Sequence, residues 1–323
     1  MDPRDEFERA EARLYAGLGS ERRESWVTIE APTPLRVRYV ETGSGRPVLF
    51  VHGGGAHGAV FAPLLPHLPG IHAVVVDRPG FGLSEGLGHR RVDLRRHAVT
   101  VLERVLDAAG IERATLVGNS MGGTWAAWLA QDRPERVESL ALLGCPALVL
   151  ETSGPFALRL MGLPMLGPRL VGAAGQDRES LLRNLERMNE SRATMERQPA
   201  GFVELGVAVG SQPGFAENWS GLLWNTFGLR GRRWHLEEDE LRAIRQPVLL
   251  AWGERDPFGG LDVARRVAAL TSGQLVEVPT GGHLPWLDDP ALVGRAITDH
   301  LLGSTTEPAA ESIQALPLAA VGA

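Results

Sequence analysis

ATLVGNSMGGTWAAWLAQD, residues 114–132, decides how the rest of this 323-residue chain is read. Its first six residues are an apolar run of strand length, and its last nine carry the small and apolar residues of a buried helix. Between them stands Gly118-Asn119-Ser120-Met121-Gly122-Gly123. A Gly-x-Ser-x-Gly turn from strand to helix forces its serine into an unfavourable backbone conformation, while the glycines let neighbouring chain pass closely. The hydroxyl then projects above a sheet at the start of a helix. The N–H of Met121 points the same way and can hydrogen-bond an oxyanion, helped by the helix dipole. The plain alternative is a serine that only caps a Gly-rich turn. Its partners decide between the two.

Outward from this turn, short apolar runs recur: PVLFVH (47–52), HAVVVD (72–77), ESLALLG (138–144), PVLLAWG (247–253) and QLVEVP (274–279). Runs of this kind, bounded by Gly and Pro, read as strands buried on both faces of a largely parallel sheet. WVTIEA (26–31) and LRVRYVE (35–41), split by a Pro-containing turn, read as an antiparallel hairpin. Helical patterns fill 92–109, 122–131, 261–270 and 290–302, so strands alternate with helices and the class is α/β. Residues 1–25 read as an amphipathic N-terminal helix. Residues 147–241 hold no convincing strand but several helical patterns, and so interrupt the alternation as a helical insertion. The expected organisation is therefore a helix over 1–25, core over 26–146, insertion over 147–241, core over 242–302 and a disordered tail over 303–323.

A nucleophilic serine needs a base, and the base needs an orienting carboxylate. Asp256 follows the strand PVLLAW, and His283 follows QLVEVP 27 residues later, room for one helix and one strand. Both emerge from the same sheet edge as Ser120. His283 is then the base and Asp256 its orienting acid, with Glu254 as the rival acid. After the third strand comes His52-Gly53-Gly54-Gly55-Ala56-His57, where three glycines bring backbone N–H groups up to a substrate carbonyl. A phosphate loop would need a following Gly-Lys-Ser/Thr, which is missing. His52 reads as shaping this loop, and His57 either as a substrate-binding pocket residue or as simply exposed. Asp77–Gly82 reads as a structural turn, and Cys145 as buried and inert.

Composition removes other chemistries. All 33 basic residues are arginine, so Schiff-base and pyridoxal-phosphate catalysis have no lysine amine to use. The net charge of −6, with arginines interspersed among acids, argues against nucleic acid. One cysteine and no Cys/His spacing give no sign of a metal site, and no cofactor is expected. The N-terminus lacks an apolar signal core, and the longest apolar stretch (140–150) is too short to cross a bilayer. These features read as a soluble, cytoplasmic protein that acts on a small molecule without a membrane partner.

With HGGG at 52–55, DRPGFGLS at 77–84, GNSMGG at 118–123, GERDPF at 253–258 and GGHLPWLDDP at 281–290, the chain resembles the α/β-hydrolase superfamily over about residues 26–302. The resemblance implies an eight-stranded sheet with an antiparallel second strand and a helical lid after strand six. It also implies that Gly54 and Met121 supply the oxyanion N–H groups. Haloalkane dehalogenases and epoxide hydrolases differ in carrying Asp where this chain has Ser120. GNSMGG beside HGGG is similar to the meta-cleavage-product hydrolases, although Leu284 follows the histidine where they commonly have Trp. A lid over such a sheet usually lines the pocket, so Trp219, Trp224 and Phe227 are expected to meet an apolar substrate group. The expected activity is serine-dependent cleavage of a carboxylic ester or lactone through an acyl-enzyme. The alternatives are C–C bond hydrolysis of a dicarbonyl, or a non-hydrolytic cyclase or ligand-binding member of the fold.

Overall fold

The computed structural model describes residues 2–30, 34–175, 177–228 and 234–303. The expected tail lies outside the described residues from 304 onward. Eight strands form one sheet: β1 (Arg23–Ile29), β2 (Leu35–Gly43), β3 (Arg46–Val51), β4 (Ile71–Val76), β5 (Ala114–Asn119), β6 (Val137–Leu143), β7 (Val248–Gly253) and β8 (Gln274–Val278). Their order is β1-β2-β4-β3-β5-β6-β7-β8. β2 runs antiparallel to both its neighbours, and every pair from β4 to β8 is parallel. Central β5 and β7 are buried along their whole length, whereas β1 and β8 at the edges are half exposed, which explains why the central runs are continuous in apolar character.

Two apolar cores flank the sheet. On one face pack α2 (Leu94–Ala108), α3 (Met121–Asp132) and α11 (Leu261–Thr271), through residues such as Leu102, Trp125 and Val267. On the other lie α1 (Pro3–Gly17), a 3₁₀ stretch at Gly58–His67 and α13 (Pro290–Gly303). The 3₁₀ stretch has no counterpart in the sequence reading. Pro63 and Pro66 lie inside it, and proline cannot donate the backbone bond that a regular α-helix needs.

The N-terminal helix ends at Gly17, and strand already begins at Arg23, three residues before the expected hairpin. Cross-strand pairing explains the extension: Arg23 sits opposite Glu41, and its guanidinium reaches that carboxylate at 2.7 Å. α1 is tied down by a buried network. Arg38 on β2 donates to Glu11 of α1 (2.5 Å), to Asp77 (2.9 Å) and to Glu24 (2.8 Å).

Between β6 and β7 the chain forms short helices: α4 (Phe156–Met161), α5 (Leu166–Ala173), α6 (Arg178–Glu186), α7 (Arg192–Glu196), α8 (Phe202–Gly210), α9 (Phe215–Phe227) and α10 (Glu238–Arg242). A parallel bridge between Val149 and Leu236 closes the base of this insertion. α8 lies along α1, so closely that a Cβ on Gly201 would stand 2.4 Å from the Ala10 carbonyl, and Gln212 just beyond α8 donates to the Pro3 carbonyl. α12 (Pro285–Asp288) follows β8 and leads into α13.

Candidate active site

Ser120 stands between β5 and α3 with φ 52° and ψ −120°, a positive-φ conformation that side chains other than glycine rarely take. The strain is imposed by close packing under the turn. A Cβ on Gly122 would lie 1.9 Å from the Val51 carbonyl oxygen, so only glycine lets α3 start this near to β3. Ser120 and Met121 form part of the wall of a cavity of about 530 Å³ between the C-terminal edge of the sheet and the insertion.

His283 lies on the same cavity wall. Its Nδ1 is 2.8 Å from Asp256 Oδ2, in a buried pair. Asp256 is surrounded by donors: Oδ2 also accepts the Cys145 N–H (2.8 Å), and Oδ1 accepts the Phe258 N–H (2.9 Å). A carboxylate so placed keeps the proton on His283 Nδ1 and leaves Nε2 as a free acceptor. Phe258 packs on the imidazole with ring centroids 4.4 Å apart. The rival Glu254 turns away and accepts the N–H of Thr280 (3.1 Å) at the surface.

The Gly53–Gly55 loop forms another part of the wall. His52 Nε2 accepts the Arg78 backbone N–H (2.9 Å), so the ring proton is on Nδ1, which donates to the Gly53 carbonyl (2.7 Å). In a trans peptide the next N–H points the opposite way, so the Gly54 N–H is turned away from the His52 ring. Arg78 also donates from Nη1 to the His52 carbonyl (3.0 Å) and lies over the Trp125 ring at 4.3 Å. Burial and the nearby Arg78 charge hold His52 well below its ordinary pKa, in the neutral form this arrangement requires.

His57 is buried on the cavity wall rather than exposed, with its ring edge-on to Phe7 of α1. Burial pushes its pKa down to about 4, against the pull of Asp77. Asp77 holds the turn that follows β4 by accepting the N–H groups of Gly58 (2.8 Å) and Leu83 (3.1 Å). Cys145 is buried, and burial raises its thiol well above the ordinary value. Among the described residues no group of three His, Cys, Asp or Glu side chains is placed to hold a metal, and no helix is long and apolar enough to cross a membrane.

Of the three aromatic residues expected to meet substrate, Trp219 and Phe227 face the cavity and Trp224 does not. α9 turns Trp219, Leu223, Thr226 and Phe227 inward, and at 3.6 residues per turn Trp224 falls about 140° round from Trp219. Its ring lies instead beside Gly228, which follows the helix. Trp219 covers the glycine loop so tightly that a Cβ on Gly54 would stand 2.6 Å from its ring.

Two supporting residues escape the sequence reading. Asn119 donates from Nδ2 to the carbonyls of Leu143 (2.7 Å) and His283 (3.2 Å), tying the serine turn to the histidine loop. Its place inside the GNSMGG motif is the only signal. Glu190, in the insertion, is buried against the loop of His283 and accepts the Leu284 N–H (2.7 Å). Nothing in its local sequence marks it.

A sequence profile described as "alpha/beta hydrolase fold" matches residues 46–290, and the chain belongs to this family. It is 32% identical over 263 residues to a 2-hydroxy-6-oxononadienedioate/2-hydroxy-6-oxononatrienedioate hydrolase of Paraburkholderia phymatum, covering 74% of this chain and 81% of that protein. It is 30% identical over 271 residues to a pimeloyl-[acyl-carrier protein] methyl ester esterase of Chromobacterium violaceum, covering 81% of this chain and 97% of the esterase. Among solved structures it is similar in fold to the carboxylesterase CesB of Bacillus subtilis, with a TM-score of 0.74 at 18% identity over 93% of this chain and 99% of that one.

Proposed function

We propose that the chain is a cofactor-free serine hydrolase that cleaves a carboxylic ester or lactone bearing an apolar group. The observation that carries the reading is the buried His283–Asp256 pair opening onto the same cavity as the strained Ser120. Ser120 Oγ attacks the carbonyl carbon while His283 Nε2 takes its proton. The N–H groups of Gly54 and Met121 receive the tetrahedral oxyanion, and loss of one such donor typically costs ~10²–10³ in turnover. His283 then protonates the departing alcohol oxygen, and a water activated by the same imidazole releases the acid from the acyl-enzyme. The insertion serves as a lid over the acyl or alcohol group, with Trp219 and Phe227 as apolar walls.

A second reading is favoured by the relative from Paraburkholderia phymatum: hydrolysis of a C–C bond in a dicarbonyl by the same residues. Fluorophosphonate labelling of wild type and Ser120→Ala, with p-nitrophenyl butyrate turnover in parallel, tests the serine chemistry. Labelling and turnover lost together in the variant are the expected result. A folded wild type that neither labels nor turns over rejects the reading in favour of a ligand-binding role. Cleavage of a vinylogous 1,5-diketone faster than of simple esters would move the assignment to C–C hydrolysis.

A further inference from the structure

The loop that carries His283 is held by the insertion as well as by the sheet. Its N–H donates to the Met188 carbonyl (3.0 Å), and the N–H of Leu284 donates to Glu190 Oε1 (2.7 Å). The N–H of Gly282 goes to Asp288 Oδ2 (2.9 Å), whose other oxygen accepts from Thr194 of α7 (3.0 Å). Asn189, between Met188 and Glu190, donates to the Arg255 carbonyl beside Asp256 (2.6 Å). Three successive residues of the turn between α6 and α7 thus grip the segments on either side of the His283–Asp256 pair.

Glu190 is 1% exposed, and its Oε2 has no hydrogen-bond partner among the described residues. Two carboxylates act on it: Asp288 on α12 and Asp256 after β7. The arginines nearest in sequence are engaged elsewhere, Arg187 with Asn184 and Arg192 with Glu179 and Glu186. Burial, followed by repulsion from Asp288, pushes the carboxyl pKa up to about 9, so it is neutral at pH 7.

We propose that Glu190 is a positioning residue for His283, acting as a neutral carboxyl group whose ionisation releases the clamp at residues 188–190. Oε1 receives the Leu284 N–H, which leaves Oε2 to carry the proton. Once ionised, the group is a buried anion facing two others. It then moves toward water and takes the turn and its bonds to residues 282–284 with it. This inference rests on the hydrolase reading, because its first readout is turnover.

The experiment is the pH profile of kcat/KM for p-nitrophenyl butyrate from pH 6 to 10.5, corrected for spontaneous hydrolysis, in wild type, Glu190→Gln and Glu190→Ala. Gln keeps the acceptor for Leu284 and cannot ionise. The wild-type rate should fall about tenfold within one pH unit above the carboxyl pKa, while Glu190→Gln holds its neutral-pH rate across that range. Glu190→Ala should lose kcat at every pH with KM little changed. An alkaline limb identical in wild type and Glu190→Gln overturns the proposal, as does an alanine variant with wild-type kcat. If wild type shows no turnover at pH 7, it is the hydrolase reading that fails. Melting temperatures then test the clamp: from pH 7.5 to 9, above the range in which the histidines titrate, wild type should fall relative to Glu190→Gln, and parallel curves would overturn it.

Discussion

Replacing Asp256 by Asn separates charge from shape at the heart of the candidate site. Among the described residues the carboxylate accepts from three donors: His283 Nδ1 and the Cys145 N–H at Oδ2, and the Phe258 N–H at Oδ1. An asparagine amide must turn its NH₂ toward one of these positions. The less costly choice faces Phe258, because it leaves the bonds to His283 and Cys145 in place. The part-buried Phe258 N–H then loses its acceptor and faces the amide NH₂, a stability cost of about 1–3 kcal/mol that still permits folding. Catalysis loses far more, since no negative charge now balances the imidazolium that forms when Ser120 gives up its proton. We expect kcat/KM to fall by about 10⁴, equivalent to about 5.5 kcal/mol of transition-state stabilisation. The assay is steady-state hydrolysis of p-nitrophenyl butyrate, with circular dichroism to establish folding and Glu254→Gln as the companion. Glu254 lies at the surface on the Thr280 N–H, so its variant should stay within about threefold of wild type. A folded Asp256→Asn protein within tenfold of wild type would refute the assignment of the acid.

Three further outcomes follow from the geometry. Ser120→Gly should abolish turnover and raise the melting temperature, because glycine takes φ 52° and ψ −120° without a strain of about 1–3 kcal/mol; a melting temperature below that of Ser120→Ala would count against the strained turn. Gly122→Ala should destabilise by on the order of 4 kcal/mol, read as a lower denaturant midpoint, since its Cβ would stand 1.9 Å from the Val51 carbonyl. In acid, burial holds His57 and His97 near a pKa of about 4 and His89 near about 3. The native state therefore binds fewer protons than the unfolded chain below pH 6.5, and stability is intact above that value and lost beneath it. Each imidazole adds up to about 1.4 kcal/mol per pH unit, so a stability flat between pH 6.5 and 5 in denaturant titrations would contradict the buried neutral histidines.

Much of this was legible in the sequence because the same residues serve folding and site. Continuous apolar runs mark strands buried on both faces, and each site segment sits where such a run ends: HGGG after β3, GNSMGG after β5, Asp256 after β7 and His283 after β8. The edge strand β1 was read three residues short because its start depends on pairing with Glu41, which is distant in sequence. Trp224 was misplaced for a related reason. Composition marks α9 as aromatic, but which aromatics face inward depends on how the helix is rotated against the sheet. Glu190 was invisible, since its significance comes wholly from the loop of His283 brought against it across the insertion.

The place of α1 has a consequence for how molecules reach the cavity. Phe7 backs His57 on the cavity wall, Glu11 is bound to Arg38 on the sheet, and α8 of the insertion lies along the same helix. The insertion is held on α1, on the loop of His283 and, through Asn225, on the residues ahead of α2, so a swing of the whole insertion as one rigid flap would break all three sets of bonds. Local parting of the short helices α4 and α5, where Phe156 and Met165 stand exposed, breaks none of these bonds and is the expected route for traffic in and out. α1 thus stiffens the doorway, and trimming it, which removes no residue of the candidate trio, is expected to alter the rate at which substrate enters and product leaves.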